Sequence, residues 1–137
     1  MLRAMEILGQ GMGVQRQRLE IASTNLANAH TTRTADGGAY RRKELVVASS
    51  PLELRDGFSR TLEGVRVSNV AQDPTPQPRV FDPGHPDADA DGMVTMPNVE
   101  VVEEMVDITS ATRSFEANVT AFEALKQMVN KSMELGR

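Results

Sequence analysis

The run Asp87-Ala88-Asp89-Ala90-Asp91-Gly92 puts carboxylates at alternate positions and a glycine in sixth place. That is the first half of a calcium loop, in which hard oxygen ligands converge on one divalent ion and glycine makes the sharp turn. Such a loop closes with a bidentate Glu at its twelfth position. Here that position is Asn98, beside Pro97, and no helical pattern precedes Asp87. Asp87, Asp89 and Asp91 are therefore weak metal candidates, and a solvated acidic turn is the expectation. Gly9-Gln10-Gly11-Met12-Gly13 begins like a dinucleotide fingerprint, but the third glycine falls on Val14 or Arg16 and no strand precedes it. Close packing against another helix is the better use of these glycines. His30 and His85 stand without a nucleophile or ligand pattern, and no Gly-x-Ser-x-Gly elbow occurs. The expectation is no enzyme and no cofactor.

Amides are the remaining polar feature. Asn25 and Asn28 lie three apart in Ala22-Ser23-Thr24-Asn25-Leu26-Ala27-Asn28-Ala29, and Asn118 closes Ser114-Phe115-Glu116-Ala117-Asn118. Asn is a poor helix former, so each needs a reason. Either Asn28 caps a helix and the others face water, or these amides hydrogen-bond across a subunit contact and fix its register. Spacing alone leaves both open.

The elements that must carry these residues follow from periodicity. Val101, Met105, Ile108, Thr112, Phe115, Val119, Phe122, Lys126, Val129 and Met133 alternate at spacings of four and three, with only Thr112 and Lys126 polar. Met1, Met5, Leu8, Met12, Gln15, Leu19, Ala22 and Leu26 repeat the pattern near the start. A mean period of 3.5 is a seam for another helix. All seven prolines lie between Pro51 and Pro97. The chain therefore divides into an N-terminal helix within 1–29, a β-rich or irregular lobe over 30–97, and a C-terminal helix within 98–137. The class is α+β, with the two long helices packing as a coiled-coil-like pair around a small inserted lobe.

The first helix is expected over Leu2–Asn28, about 40 Å long, and weakened by Gly9, Gly11 and Gly13 at roughly 1 kcal/mol each. The second is expected from Val99 to Leu135, with Asn98 as N-cap and Glu100, Glu103, Glu104 and Asp107 favoured by the dipole of its first turns. Gly136 is the expected terminator. Between them, Ala39–Val47, Gly64–Val70, Arg79–Phe81 and Met93–Met96 are strand candidates. Loops fall at 30–38, 48–62 and 71–91, and Pro74, Pro76 and Pro78 mark an extended linker.

Composition narrows the classes. At 137 residues, 39% apolar with no Trp, the chain has a lean core, so helix pairing must carry much of the burial. No cysteine is present, which removes disulfides and thiolate metal sites. A net charge of −4 and few aromatics argue against nucleic acid. No apolar run reaches the ~20 residues of a membrane span, and the first residues do not read as a cleavable secretory signal.

At these residues the chain resembles the bacterial flagellar basal-body rod proteins. Ser23-Thr24-Asn25-Leu26-Ala27-Asn28-Ala29 is similar to their N-terminal signature, and Arg113-Ser114-Phe115-Glu116-Ala117-Asn118 to their C-terminal arginine–aromatic–asparagine pattern, with Phe115 where Tyr is common. Met96-Pro97-Asn98-Val99-Glu100-Val101-Val102-Glu103-Glu104-Met105-Val106, the stretch Asp82–Gly92 and Tyr40-Arg41-Arg42-Lys43 resemble the proximal-rod branch. The resemblance spans nearly the whole chain. It implies a structural subunit, exported through the flagellar type III apparatus without a cleaved signal. Such a subunit polymerises with itself and other rod proteins into the periplasm-crossing shaft that carries torque to the hook, and surrounding ring proteins are further expected partners. It makes Ser23, Asn25, Leu26, Asn28, Pro97, Asn98, Arg113 and Asn118 motif residues. The rival readings are a soluble helical chaperone or adaptor of a secretion system, a calcium-dependent module and a different rod subunit.

Overall fold

The computed structural model describes residues 2–51 and 63–135. Two long helices, α1 (Leu2–Ala27) and α2 (Val101–Leu135), flank four strands: β1 (Lys43–Pro51), β2 (Glu63–Gln72), β3 (Arg79–Phe81) and β4 (Met93–Thr95). The expected α+β class and helix–lobe–helix order are what is found. Residues 52–62 of the expected loop at 48–62, and the expected terminator Gly136, lie outside the described residues.

The strands form two separate antiparallel pairs, β1 with β2 and β3 with β4. Val46 pairs with Asn69 and Val47 with Val67, so Ser68 is an extra residue on β2. This β-bulge explains why Val65, Val67 and Val70 fall out of alternation. β1 begins at Lys43 rather than Ala39, because residues 39–42 leave the ladder. The Tyr40 N–H donates to Thr31 O at 3.0 Å, and the Arg42 N–H donates to the Asn98 side chain at 2.9 Å. The same strand runs on to Pro51, beyond the expected end at Val47. Gly37 and Gly38 sit at positive φ (87° and 77°) in the turn closed by Thr34, which is the conformation glycine adopts without strain.

α1 packs against α2 on one side and against β1 and β2 on the other. Gln10 reaches the hairpin: its side-chain oxygen accepts from Val65 N at 3.2 Å, and buried Gly64 leaves room for it. The helix pair is antiparallel and in register over four turns. Gly11 lies against Asn118, Asn25 bonds Glu104, and the same number of residues separates the two contacts on each helix. Among the described residues the buried hydrophobic side chains are Val14, Ala22, Ala29, Tyr40, Val94 and Ala111, with Pro97 beside them. That set is small, as the lean composition requires.

The inward face of α2 differs from the expected seam. Its inward stripe runs Glu104, Ile108, Ala111, Phe115, Asn118, Phe122, Leu125 and Val129, with Asp107 and Ser114 half-buried beside it. The period is still 3.5, and Ile108, Phe115, Phe122 and Val129 belong to both stripes. Val119 is half-buried at the edge, whereas Val101, Met105 and Met133 are exposed. Apolarity favoured Met105 over Glu104. The helix instead turns Glu104 inward because Arg42 pairs with it there, and puts small Ala111 where the helices come close. On α1, Met5, Leu8, Met12, Leu19 and Leu26 are all half-buried.

α2 begins at Val101, two residues after the expected start, and Asn98 does not cap it. The Asn98 carboxamide is engaged elsewhere: its oxygen accepts from Arg42 N at 2.9 Å and its nitrogen donates to Thr75 O at 3.2 Å. Glu104, expected among the acids that the helix dipole favours in the first turns, is buried.

Candidate functional site

A polar junction forms where α1, the start of β1 and the start of α2 meet. Asn25, on the last turns of α1, is 1% exposed. Its oxygen accepts from Tyr40 Oη and Lys43 N, both at 2.9 Å, and its nitrogen donates to Lys43 O at 2.9 Å and to Glu104 Oε2 at 3.2 Å. Those four bonds use the full capacity of a carboxamide. The side chain thus acts as a peptide group laid beside Lys43, joining a helix to the first residue of a strand.

Glu104, also 1% exposed, accepts from Arg42 Nε at 2.6 Å through its other oxygen. Arg42 reaches two more carboxylates, Asp73 at 3.7 Å and Asp107 at 3.6 Å. Burial works against the Arg42 charge, but the Glu104 hydrogen bond, the Glu104 charge, Asp73 and Glu44 outweigh it, and its pKa stands above the ordinary value. Burial first and the Glu104 charge second push the Tyr40 hydroxyl up. Asp73 is held below the usual carboxylate range by the Thr75 hydroxyl and N–H, with Arg42 adding to the effect. The buried carboxylate of Glu104 is paired with Arg42, which is the condition for burying a charge without severe loss.

The motif asparagines therefore divide. Asn25 neither faces water nor awaits a partner subunit; it fixes helix, strand and helix within one chain. Asn28 serves the end of α1: its Nδ2 donates to Thr24 O at 2.9 Å, satisfying a terminal carbonyl, and its oxygen accepts from Thr31 Oγ1 at 3.1 Å. Asn118 is half-buried against Gly11, where a Cβ would lie 3.2 Å from its Nδ2. The close approach expected of the glycines is made at Gly11 alone, since a Cβ on Gly9 or Gly13 would meet nothing within 4 Å. Pro97 is buried, Leu26 half-buried, and Ser23 and Arg113 are exposed.

The acidic turn is already occupied by protein donors. Asp87 accepts from Thr32 Oγ1 at 2.8 Å and pairs with Arg33 at 3.1 Å. Asp89 accepts from the N–H groups of Met93 and Asp91 at 2.9 and 3.0 Å and pairs with Arg79. The Met93 N–H is the largest influence holding the Asp89 carboxyl below its usual range. Asp91 is exposed. Among the described residues no group of three or more His, Asp or Glu is placed to hold a metal. No helix among them is long and apolar enough to cross a membrane. Sequence reasoning missed the ionic half of the junction. Arg42 stands out in the sequence only as part of the Tyr40–Lys43 motif and Glu104 only as a helix-dipole acid within the Met96–Val106 motif, and nothing local to either signals a partner 62 residues away.

Comparison with known proteins bears on this junction, because its residues lie inside the motifs that carry the resemblance. The family described as Flagellar basal body rod FlgEFG protein C-terminal matches residues 90–135, which include Glu104 and all of α2. Full-length relatives decide the matter. The flagellar basal-body rod protein FlgC of Yersinia enterocolitica is 40% identical over 100% of this chain and 98% of its own length. The chain belongs to the FlgC family of flagellar basal-body rod proteins. The FlgC of Salmonella typhimurium is 39% identical over the same shares, and that of Bacillus subtilis 37% identical over 98% of this chain and 97% of its own. In this member of the FlgC family the Asn25 motif near the start and the Glu104 segment near the end meet in one buried cluster.

Proposed function

We propose that the chain is a structural, non-catalytic subunit of the flagellar basal-body rod. It is exported through the flagellar type III apparatus without a cleaved signal peptide and is built into the periplasm-spanning shaft that passes torque to the hook. Residues 1–29 and 98–137 form the rod core, and 30–97 form a lobe on its outside. Its partners are further copies, other rod proteins and the export apparatus, with the basal-body rings nearest the lobe. The observation that carries the reading is apolar surface left bare on a helix pair that is otherwise pinned. Met105 is 55% exposed, Met133 70% and Leu135 83%. Exposed apolar residues gather at both ends of α2, Val102, Met105 and Val106 at one and Met128, Met133 and Leu135 at the other, and a polymer would cover them.

The helical seam is the assembly element: Met5, Leu8, Met12, Leu19 and Leu26 on α1, with Val101, Met105, Ile108, Phe115, Val119, Phe122, Val129 and Met133 on α2. Ordering the glycine-weakened start of α1 costs about 1–2 kcal/mol per residue in backbone entropy. The free subunit therefore keeps this stretch loose for export and completes it on assembly, while the junction at Asn25 holds the other end. Dilute monomer should show fast amide exchange from Leu2 to Gly13 and slow exchange around Asn25 and Glu104. Equal protection along the whole of α1 would contradict folding on assembly.

Mass spectrometry of purified basal bodies tests the function itself, with the chain expected in the rod fraction. Its absence from basal bodies of motile cells would overturn the reading. Strains carrying Phe115→Ala or Phe122→Ala should assemble fewer rods. Full burial of Phe stabilises by about 3–5 kcal/mol on truncation data, and normal rod numbers would remove these residues as anchors.

A further inference from the structure

The hairpin of β1 and β2 has two outer edges, and they are finished differently. Asp73 N donates to Arg42 O, so along this antiparallel ladder Glu44 and Val46 exchange bonds with β2, while Lys43 and Leu45 turn their N–H and C=O outward. Beyond the bulge, Val65 N is outward because it donates to Gln10, so its partner Ser49 is outward on β1, and Val47 with it. The edge of β2 is blunted: Gln10 takes Val65 N, the Asn69 side chain takes Val70 N, and the bulge at Ser68 breaks the alternation. The edge of β1 keeps its alternation from Lys43 to Ser49. Asn25 already fills the Lys43 rung, bonding both its N–H and its C=O. Pro51, at the far end, has no N–H to offer. Between these limits, among the described residues, nothing bonds the N–H and C=O groups of Leu45, Val47 and Ser49. Val46 and Val47 are exposed on the same stretch. An open apolar edge of this kind is a template for another strand.

We infer that β1 pairs edge to edge with β1 of a second copy, antiparallel about Val47, in a closed twofold dimer of the unassembled chain. In that register Leu45 lies opposite Ser49 of the second copy, and the two Val47 residues face each other. All three open rungs are used, and each pair exchanges two N–H···O=C bonds. The dead ends coincide as well: Lys43, whose groups Asn25 has taken, lies opposite Pro51 of the second copy, which has no N–H. This self-complementarity is what selects a second copy over an unrelated strand. Residues 45–49 carry no charge, so the twofold axis sets no like charges against each other. Exposed Val46 meets Ala48 of the second copy on the other face of the sheet. Two hairpins become one four-stranded sheet, which gains stability that a two-stranded ladder lacks. The contact is isologous and closes on itself, so it does not propagate. It lies away from the helix ends and does not rest on the rod reading: it is a form of the free chain that hides an edge otherwise prone to indiscriminate pairing.

The chain has no cysteine, so a single introduced thiol reports contact between copies alone. Facing residues in a bonded antiparallel pair have Cα atoms about 5.5 Å apart, within the roughly 4.4–6.8 Å that a disulfide spans. Val47→Cys in the full chain should therefore form a disulfide dimer under mild oxidation. Val46→Cys, one residue along and equally open to solvent, points to the other face and should stay monomeric. Circular dichroism of both should match the unsubstituted chain. A third variant, Val47→Lys, sets two ammonium groups against each other across the axis. In sedimentation velocity the unsubstituted chain should show a dimer that this variant loses. The inference is overturned if Val47→Cys stays monomeric, if Val46→Cys crosslinks as readily, or if Val47→Lys dimerises as the unsubstituted chain does. Crosslinking of Val47→Cys in cells to a different protein, with none between copies, would also overturn it and give the edge to that protein. The rod reading is judged separately, by the presence of the chain in basal bodies.

Discussion

Replacing Glu104 with Ala removes the group on which the junction converges. Its Oε1 takes the 2.6 Å bond from Arg42 and its Oε2 the 3.2 Å bond from Asn25. Breaking a buried pair by deleting one partner typically costs about 3–5 kcal/mol, because a buried charge is left uncompensated. Arg42 would still have Asp73 at 3.7 Å and Asp107 at 3.6 Å, and Asn25 would keep Lys43 O. The expected loss therefore lies at the low end, about 3 kcal/mol, or roughly a hundredfold in the folding equilibrium. Arg42→Met should cost more, since Glu104 would keep only the Asn25 amide. Urea unfolding followed by circular dichroism gives each value, provided the slope is unchanged between variants. The double variant Arg42→Met with Glu104→Leu should lose much less than the two single losses together, because no buried charge remains. A loss below about 1 kcal/mol for Glu104→Ala, or simple additivity in the double variant, would refute the view that this pair holds the helices to the lobe.

Gly9→Ala should raise the local stability of the start of α1 by about 1 kcal/mol, since a Cβ there meets nothing; Gly11→Ala should gain less or lose, because it presses on Asn118, and amide exchange over Leu2 to Gly13 in the two variants will show the difference. Tyr40 is the sole tyrosine, so ultraviolet titration reads it alone. Burial and Glu104 raise its pKa in the folded chain, so its contribution to stability is intact below the ordinary value near 10 and falls as pH rises through that value toward the raised one. A midpoint at or below the ordinary value would contradict its burial beside Asn25. Calorimetry with calcium should give no micromolar binding, because Arg33, Arg79 and backbone N–H groups already occupy Asp87 and Asp89; a saturable heat in that range would show that the turn can exchange those partners for an ion.

Much of the fold was legible because it is periodic or punctuated. The proline-free ends gave two helices within a residue or two of their bounds, and the valine spacing of β2 gave a strand whose irregularity is the bulge at Ser68. The face of α2 was not legible by the same logic. A rule that sorts residues by apolarity chooses Met105 over Glu104, and only a partner far away in sequence reverses that choice. Asn98 shows the same limit. Before a helix it has the chemistry of a cap, but an unpaired N–H at Arg42 claimed its oxygen first. The Asn25 motif was recognisable as a pattern, while its role depended on Lys43, Tyr40 and Glu104 arriving together.

Where the chain passes Asp73 and where it returns at Asn98, the two strands of backbone are stitched side by side: Asp73 N donates to Arg42 O at 2.8 Å, Arg42 N donates to Asn98, and Asn98 Nδ2 reaches Asp73 O at 3.4 Å. Residues 74–97 leave and re-enter through that clasp, and among the described residues β3 and β4 pack on no other strand or helix. Side chains fasten the excursion at two further points: Asp87 holds Thr32 and Arg33, and Gln77 donates to the carbonyls of Ala39 and Tyr40. Its length and decoration can drift between those points without disturbing the helices beneath, because insertions are tolerated where few contacts cross the boundary.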